Sequence, residues 1–118
     1  MCIRDSDTRG PKSFAGEEKS AQAKRAGRLP GALHLETSAA YDPATNRLRP
    51  LAELAALAAA LPEGPMITYC NTGQLASTGW FVLSEMLGRP DVAMYDGSMS
   101  EWTQDPARPV ETGPSTPL

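Results

Sequence analysis

Between residues 50 and 95 the apolar pattern of the chain changes period three times, and this alternation restricts the fold more than any other feature. Leu51, Leu54, Leu57 and Leu61 recur at gaps of three, three and four among alanines, after a proline suited to a first helical turn. They predict an amphipathic helix over 51–61. Met66-Ile67-Thr68-Tyr69-Cys70 is a β-prone run set off by Pro62-Glu63-Gly64-Pro65, and it predicts a buried strand. Leu75, Gly79, Val82, Leu83, Met86 and Leu87 return to helical spacing and are closed by Gly88-Arg89-Pro90. Val92-Ala93-Met94-Tyr95 is again strand-like and stops at Asp96-Gly97, before a polar segment from Ser98 to Gln104. Parallel neighbours need a crossover element between them, so this order with short connections predicts an α/β fold, an open parallel sheet flanked by helices.

Elsewhere the pattern is weaker. Ala32-Leu33-His34-Leu35 is expected to add a strand, and Glu36 to Pro50, polar and broken by Pro43, reads as a long loop suggestive of function or a lid. The tail from Asp105 to Leu118, with Pro106, Pro109, Pro114 and Pro117, is expected to trail over the surface or be disordered. The first fifteen residues offer no clear helix and at best a poor strand around Ile3. The expected sheet is therefore short of members, as in a fragment or a domain that sits beside another.

With 118 residues, a net charge of -3, 41% hydrophobic and 21% charged residues, the chain has room for one ordinary globular domain. Its longest apolar stretch, Leu51 to Leu61, is interrupted by Glu53 and falls short of the ~20 residues of a membrane span. Mild acidity argues against nucleic acid as a partner, although Lys12, Lys19, Lys24, Arg25 and Arg28 make the early part locally basic. His34, Cys2 and Cys70 are too few for a four-ligand zinc site of Cys and His, so no metal is expected. The opening residues lack the apolar core of a signal peptide, and the compartment stays open.

Cys70 stands where a strand ends, a glycine-containing loop follows and a helix starts, the side of an open α/β sheet on which ligands bind. The N–H groups of Asn71, Thr72, Gly73, Gln74 and Leu75 could curl around its sulfur, with the positive end of the helix behind them, which favours a thiolate nucleophile. Gly73 would supply the positive φ of so tight a loop. On spacing alone the other reading is a buried strand-end cysteine.

Residues 69 to 77, Tyr-Cys-Asn-Thr-Gly-Gln-Leu-Ala-Ser, resemble the active-site loop of rhodanese-like sulfurtransferases, a cysteine, two variable residues, a glycine and then a helix. Asp7-Thr8-Arg9, Phe14-Ala15-Gly16, Arg25 to Ala32 and Tyr95 to Trp102 resemble, in order, the family's Asp-x-Arg, aromatic-x-Gly, Gly-His-Ile-Pro-Gly-Ala and Asp-Gly-Ser-x-x-Glu-Trp motifs. The insert from Glu36 to Pro50 is most similar to the C-terminal repeat of two-domain thiosulfate and 3-mercaptopyruvate sulfurtransferases. The resemblance implies catalysis by Cys70, which would take a sulfane sulfur from a small-molecule donor as a persulfide and pass it to a thiol or cyanide. It implies no cofactor and no histidine base, so His34 is expected to pack in a strand. It also implies a second rhodanese domain in a full-length protein.

The departures concern the donor. The arginine that precedes the aromatic-x-Gly motif is Ser13 here, with Lys12 adjacent, and Asn71 and Thr72 fit neither the thiosulfate nor the mercaptopyruvate loop. Arg9 and Lys12 are the candidate donor-binding residues, Arg9 also reading as an ion-pair partner of Asp7. Arg28, where the family carries histidine, reads as a solvated loop charge, and Asp96, Glu101 and Trp102 as structural. The resemblance assigns 7–110 to the domain, 1–6 to a doubtful start that could be an artefact, with the first strand and helix missing, and 111–118 to a flexible tail. A cysteine phosphatase needs arginine six places after the cysteine, and Ala76 stands there. The other readings are a non-catalytic rhodanese-like interaction or accessory domain and a redox thiol, the latter without a Cys-x-x-Cys partner.

Overall fold

The structure is a computed structural model and describes residues 3–114. Its elements are β1 (Arg4–Asp7), α1 (Pro11–Ala15), β2 (Leu33–His34), β3 (Tyr41–Asp42), β4 (Arg47–Leu48), α2 (Leu51–Ala58), β5 (Met66–Tyr69), α3 (Gln74–Trp80), β6 (Val92–Met94) and α4 (Ser98–Trp102). A 3₁₀ turn occupies Thr37–Ala40, and α3 runs on as a π-helix over Phe81–Met86. Strands β2, β1, β5 and β6 lie in that order and every pairing is parallel, as the alternation predicts. Among the described residues no helix is long and apolar enough to cross a membrane.

Alternation along β5 divides the core between the two faces of the sheet. Met66 and Thr68 face α3: Met66 packs with Leu83, Leu61, Ala58 and Leu35, and the Thr68 hydroxyl donates to the Ala76 carbonyl at 3.0 Å. Gly79 makes this approach possible, because a Cβ there would stand 2.7 Å from Thr8 Cγ2. Tyr69 points to the other face, into a cluster with Phe14, Ala23, Leu29, Ala32 and Met99.

Four expectations are corrected. The poor strand near Ile3 is β1, an interior strand of sequence Arg-Asp-Ser-Asp with neighbours on both sides. The buried Asp7 is held there by the Arg9 backbone N–H and guanidinium and by the Tyr69 hydroxyl. The stretch Glu36 to Pro50 is neither a plain loop nor a lid: β3 and β4 form an antiparallel hairpin, and Ala40 and Leu48 pack against Leu54 and Val82. Arg49 Nε donates to the Ala39 carbonyl at 2.9 Å and fixes the base of that hairpin. The segment after Trp102 is docked as far as Pro114. Trp102 Nε1 donates to the Pro109 carbonyl at 2.8 Å, residues Arg28 and Glu111 pair as a β-bridge, and the Gly113 amide donates to Ala15 at 2.8 Å. The expectation of disorder for residues 115–118, like the doubtful residues Met1 and Cys2, lies outside the described residues.

Arg28 is the fourth correction. It is 1% exposed, not solvated. Its guanidinium stacks 4.3 Å above the Phe14 ring and donates to the carbonyls of Phe14 (3.0 Å), Gly113 (2.7 Å) and Pro114 (2.9 Å). A buried cation whose two terminal nitrogens bond three carbonyls, two of them in Gly113 and Pro114, and whose Nε stands 3.8 Å from Glu111 Oε2 explains why the proline-rich segment lies down on the domain.

Candidate active site

Cys70 is the first residue beyond β5, 2% exposed, and the sharp turn 70–73 delivers the chain into α3. Gly73 closes the turn at φ 95°, a left-handed conformation that favours glycine, and its N–H donates to Cys70 Sγ at 3.0 Å. Asp96 lies close behind: a Cβ on Gly73 would come within 2.7 Å of Asp96 Oδ1 and 2.9 Å of its carbonyl oxygen. The cradle predicted from Asn71 to Leu75 is thus realised at the sulfur by one direct donor, Gly73. Thr72, Gln74 and Leu75 are exposed around the turn, and the Leu75 carbonyl accepts the Thr37 hydroxyl at 3.2 Å.

The start of α4 clips the turn from the other side. The Cys70 N–H donates to Ser98 Oγ at 3.0 Å, Met99 N–H donates to the Cys70 carbonyl at 3.0 Å, and Ser100 N–H to the Asn71 carbonyl at 2.9 Å. Ser98 Oγ lies 4.0 Å from the sulfur. Sequence reasoning placed a polar segment here and missed both the helix and Ser98, whose one signal was its place in the Asp96-Gly97-Ser98 motif.

Beneath the turn lies a buried polar network. Arg9 NH2 donates to Asp7 Oδ2 at 2.7 Å and to the Gly27 carbonyl at 2.7 Å, Arg9 Nε to Asp7 Oδ1 at 3.0 Å, and Arg9 NH1 to Asn71 Oδ1 at 3.2 Å. Tyr69 donates its phenol to Asp7 Oδ2 at 2.9 Å and accepts the Leu29 N–H at 3.0 Å. Burial, reinforced by the neighbouring Asp7 charge, pushes the Tyr69 phenol above the ordinary tyrosine range, so it remains a donor. Burial alone would lower the Arg9 pKa, but hydrogen bonds to Asp7 and its charge, with smaller contributions from Tyr69 and Cys70, raise it.

Arg9, 3% exposed, makes the ion pair with Asp7 that was its other reading, and its guanidinium ties Asn71 of the turn to the end of β1. Lys12 stands exposed on α1. His34 stacks on Phe14 with ring centres 4.5 Å apart, and its Nε2 bonds the Arg9 carbonyl oxygen at 2.6 Å, the packing role expected of it. Among the described residues Cys70 is a free thiol.

A family model described as "Rhodanese-like domain" matches residues 6–105. Over 117 residues the chain is 38% identical to a thiosulfate sulfurtransferase of Corynebacterium glutamicum, covering 93% of this chain and 38% of that protein. It is 38% identical over 108 residues to a thiosulfate sulfurtransferase of Pseudomonas aeruginosa, covering 89% of this chain and again 38% of the relative. The chain thus spans about two fifths of the length of these relatives. Among solved structures, an EanB complex with ergothioneine superposes with a TM-score of 0.85 at 28% identity, covering 97% of this chain and 29% of that one. The anaerobic ergothioneine biosynthesis enzyme from Chlorobium limicola, in complex with trimethyl histidine, gives a TM-score of 0.83 at 29% identity, covering 94% of this chain and 28% of that one.

Proposed function

The chain belongs to the rhodanese-like domain family, and from that premise we propose that it transfers sulfane sulfur through a persulfide on Cys70. The observation that carries the proposal is the Gly73 N–H aimed at Cys70 Sγ from 3.0 Å in a turn held on both sides. A fixed donor at a reacting atom stabilises negative charge on it without reorganising, and here that atom carries the charge as the thiolate that attacks the donor and again as the thiolate released when the persulfide is discharged. Relatives named thiosulfate sulfurtransferase, and a solved EanB structure carrying a cysteine persulfide, support the same chemistry.

The cycle needs no redox partner. The Cys70 thiolate attacks the outer sulfur of thiosulfate, a sulfur–sulfur bond forms on Cys70, and the donor's own sulfur–sulfur bond breaks with its electron pair leaving on sulfite. Cyanide then attacks the terminal sulfur of the persulfide, the Cys70 sulfur–sulfur bond breaks, and thiocyanate and the thiolate are released. With 3-mercaptopyruvate as donor the carbon–sulfur bond breaks instead, and a proton replaces sulfur on the carbon of pyruvate. A thiol serves as acceptor in place of cyanide. Lys12, exposed on α1, is the candidate in this chain for holding an anionic donor, and a second rhodanese domain in a longer protein is the proposed neighbour of this one.

The experiment is thiocyanate formation from cyanide with each donor in turn, comparing the wild type with Cys70→Ser. Activity that survives in the variant rejects the mechanism. A non-catalytic interaction domain is favoured by one observation, the 2% exposure of Cys70, which leaves the sulfur little open surface. Failure of a folded wild type to turn over either donor, with Cys70 inert to alkylating reagents, would establish that reading.

A further inference from the structure

We infer that Ser98 is a positioning residue for Cys70, fixing the backbone of the nucleophile and offering its hydroxyl to the sulfur when the sulfur is charged. The inference rests on Cys70 being the nucleophile proposed above. Ser98 adopts φ 51°, in the left-handed region that residues other than glycine seldom occupy. The neighbouring Gly97 does not relieve it: its own φ is an ordinary -61°, and a Cβ there would stand 2.8 Å from Glu101 Cβ. A serine is therefore held where glycine would fit without strain, and strain of this kind persists only where the surroundings over-determine it.

Those surroundings are the catalytic turn. Ser98 is fully buried, and its hydroxyl accepts the Cys70 N–H at 3.0 Å while donating to the Tyr95 carbonyl at 2.8 Å. The next two amides, Met99 and Ser100, are spent on the carbonyls of Cys70 and Asn71, so the serine cannot move independently of the turn. The hydroxyl has one proton and two acceptors in reach, the Tyr95 carbonyl and, at 4.0 Å, the sulfur. While the sulfur is neutral the carbonyl is the better acceptor. Negative charge on the sulfur reverses the order, because hydrogen bonds to ionised acceptors are roughly twice as strong, and rotation about Cβ–Oγ then adds a second donor beside Gly73. Glycine would relax the backbone and bring no hydroxyl, and threonine would bring the hydroxyl with a β-branch that is costly at positive φ.

The test is alkylation of Cys70 by iodoacetamide across pH in the wild type, Ser98→Gly and Ser98→Ala, with thermal melting as the control for folding. Both variants are expected to react roughly tenfold more slowly near neutral pH, with the pH–rate profile displaced upward, as the loss of one hydrogen bond to a charged group requires. A merely conformational serine would leave Ser98→Gly, which carries no left-handed strain, with the wild-type profile, and that result overturns the inference. If neither variant folds, the wild type decides: the Ser98 ¹³Cβ resonance should move with the alkylation profile, and a flat resonance overturns the inference. Alkylation requires no sulfur donor. A wild type that forms no persulfide would overturn the proposed function, and the Ser98 result would be read separately.

Discussion

The amide of Gly73 meets the sulfur of Cys70 at 3.0 Å, and Asp96 fills the space that a side chain on residue 73 would need. The donor at the sulfur and the absence of a side chain are thus one requirement, imposed by a left-handed φ of 95° and by the aspartate behind it.

Replacing Gly73 with Val is therefore expected to impair chemistry more than folding. Backbone strain of this type costs about 1–3 kcal/mol, whereas misdirecting a single charge-stabilising N–H costs roughly 10²-fold or more in rate. Thiocyanate production and a urea melt of the same sample separate the two effects. Unchanged turnover would show that the turn is not what activates the sulfur.

Arg9→Gln should act as a folding lesion and not as a binding one. Its partner Asp7 is 0% exposed, and removing one member of a buried ion pair costs about 3–5 kcal/mol because the other charge is left uncompensated. Chemical denaturation should show the loss directly. A variant with wild-type stability and a raised KM for thiosulfate would restore the reading of Arg9 as donor ligand.

Asp5, half-buried on β1, has its carboxyl pushed above the ordinary aspartate value by burial. The folded state consequently binds this proton more tightly than the unfolded chain. Stability from this group is greatest at low pH and falls as pH rises from the unfolded value through the folded one. Asp5→Asn should thus have a higher urea midpoint than the wild type at pH 7, and the gap should close as the medium is acidified towards the ordinary aspartate value. A gap that widens on acidification would contradict the assignment.

Arg28→Ala should release the segment that follows Trp102. The loss of three charge-assisted bonds and the stacking on Phe14 predicts about 2–3 kcal/mol of destabilisation. It also predicts faster proteolytic cleavage within residues 105–114. An unchanged cleavage rate would mean that the segment is held by other contacts.

The parts of the fold legible in the sequence are those whose partners are near in the chain. Met66 to Tyr69 and the helix after Gly73 stand out because apolar period, proline and glycine agree locally. The Cys70 turn was legible for the same reason, a glycine at a fixed offset from a cysteine. Arg-Asp-Ser-Asp as an interior strand was not, since Asp7 is satisfied in part by Tyr69, 62 residues away. Arg28 misled because its acceptors are carbonyls of Gly113 and Pro114, which carry no side-chain signature. The hairpin of β3 and β4 escaped notice because each strand is two residues long, too short for an alternation to register. Ser98 was read as part of a motif, but its contact with Cys70 spans 28 residues and appears only when α4 is seen to close on the turn.

The central claim is the persulfide, and intact mass reads it without an acceptor or a coupled assay. Purified protein is incubated with thiosulfate and, separately, with 3-mercaptopyruvate, each beside Cys70→Ser. The account predicts a gain of one sulfur atom confined to Cys70 and reversed by cyanide. A folded wild type that gains no sulfur from either donor, or a Cys70→Ser variant that gains as much as the wild type, would contradict it.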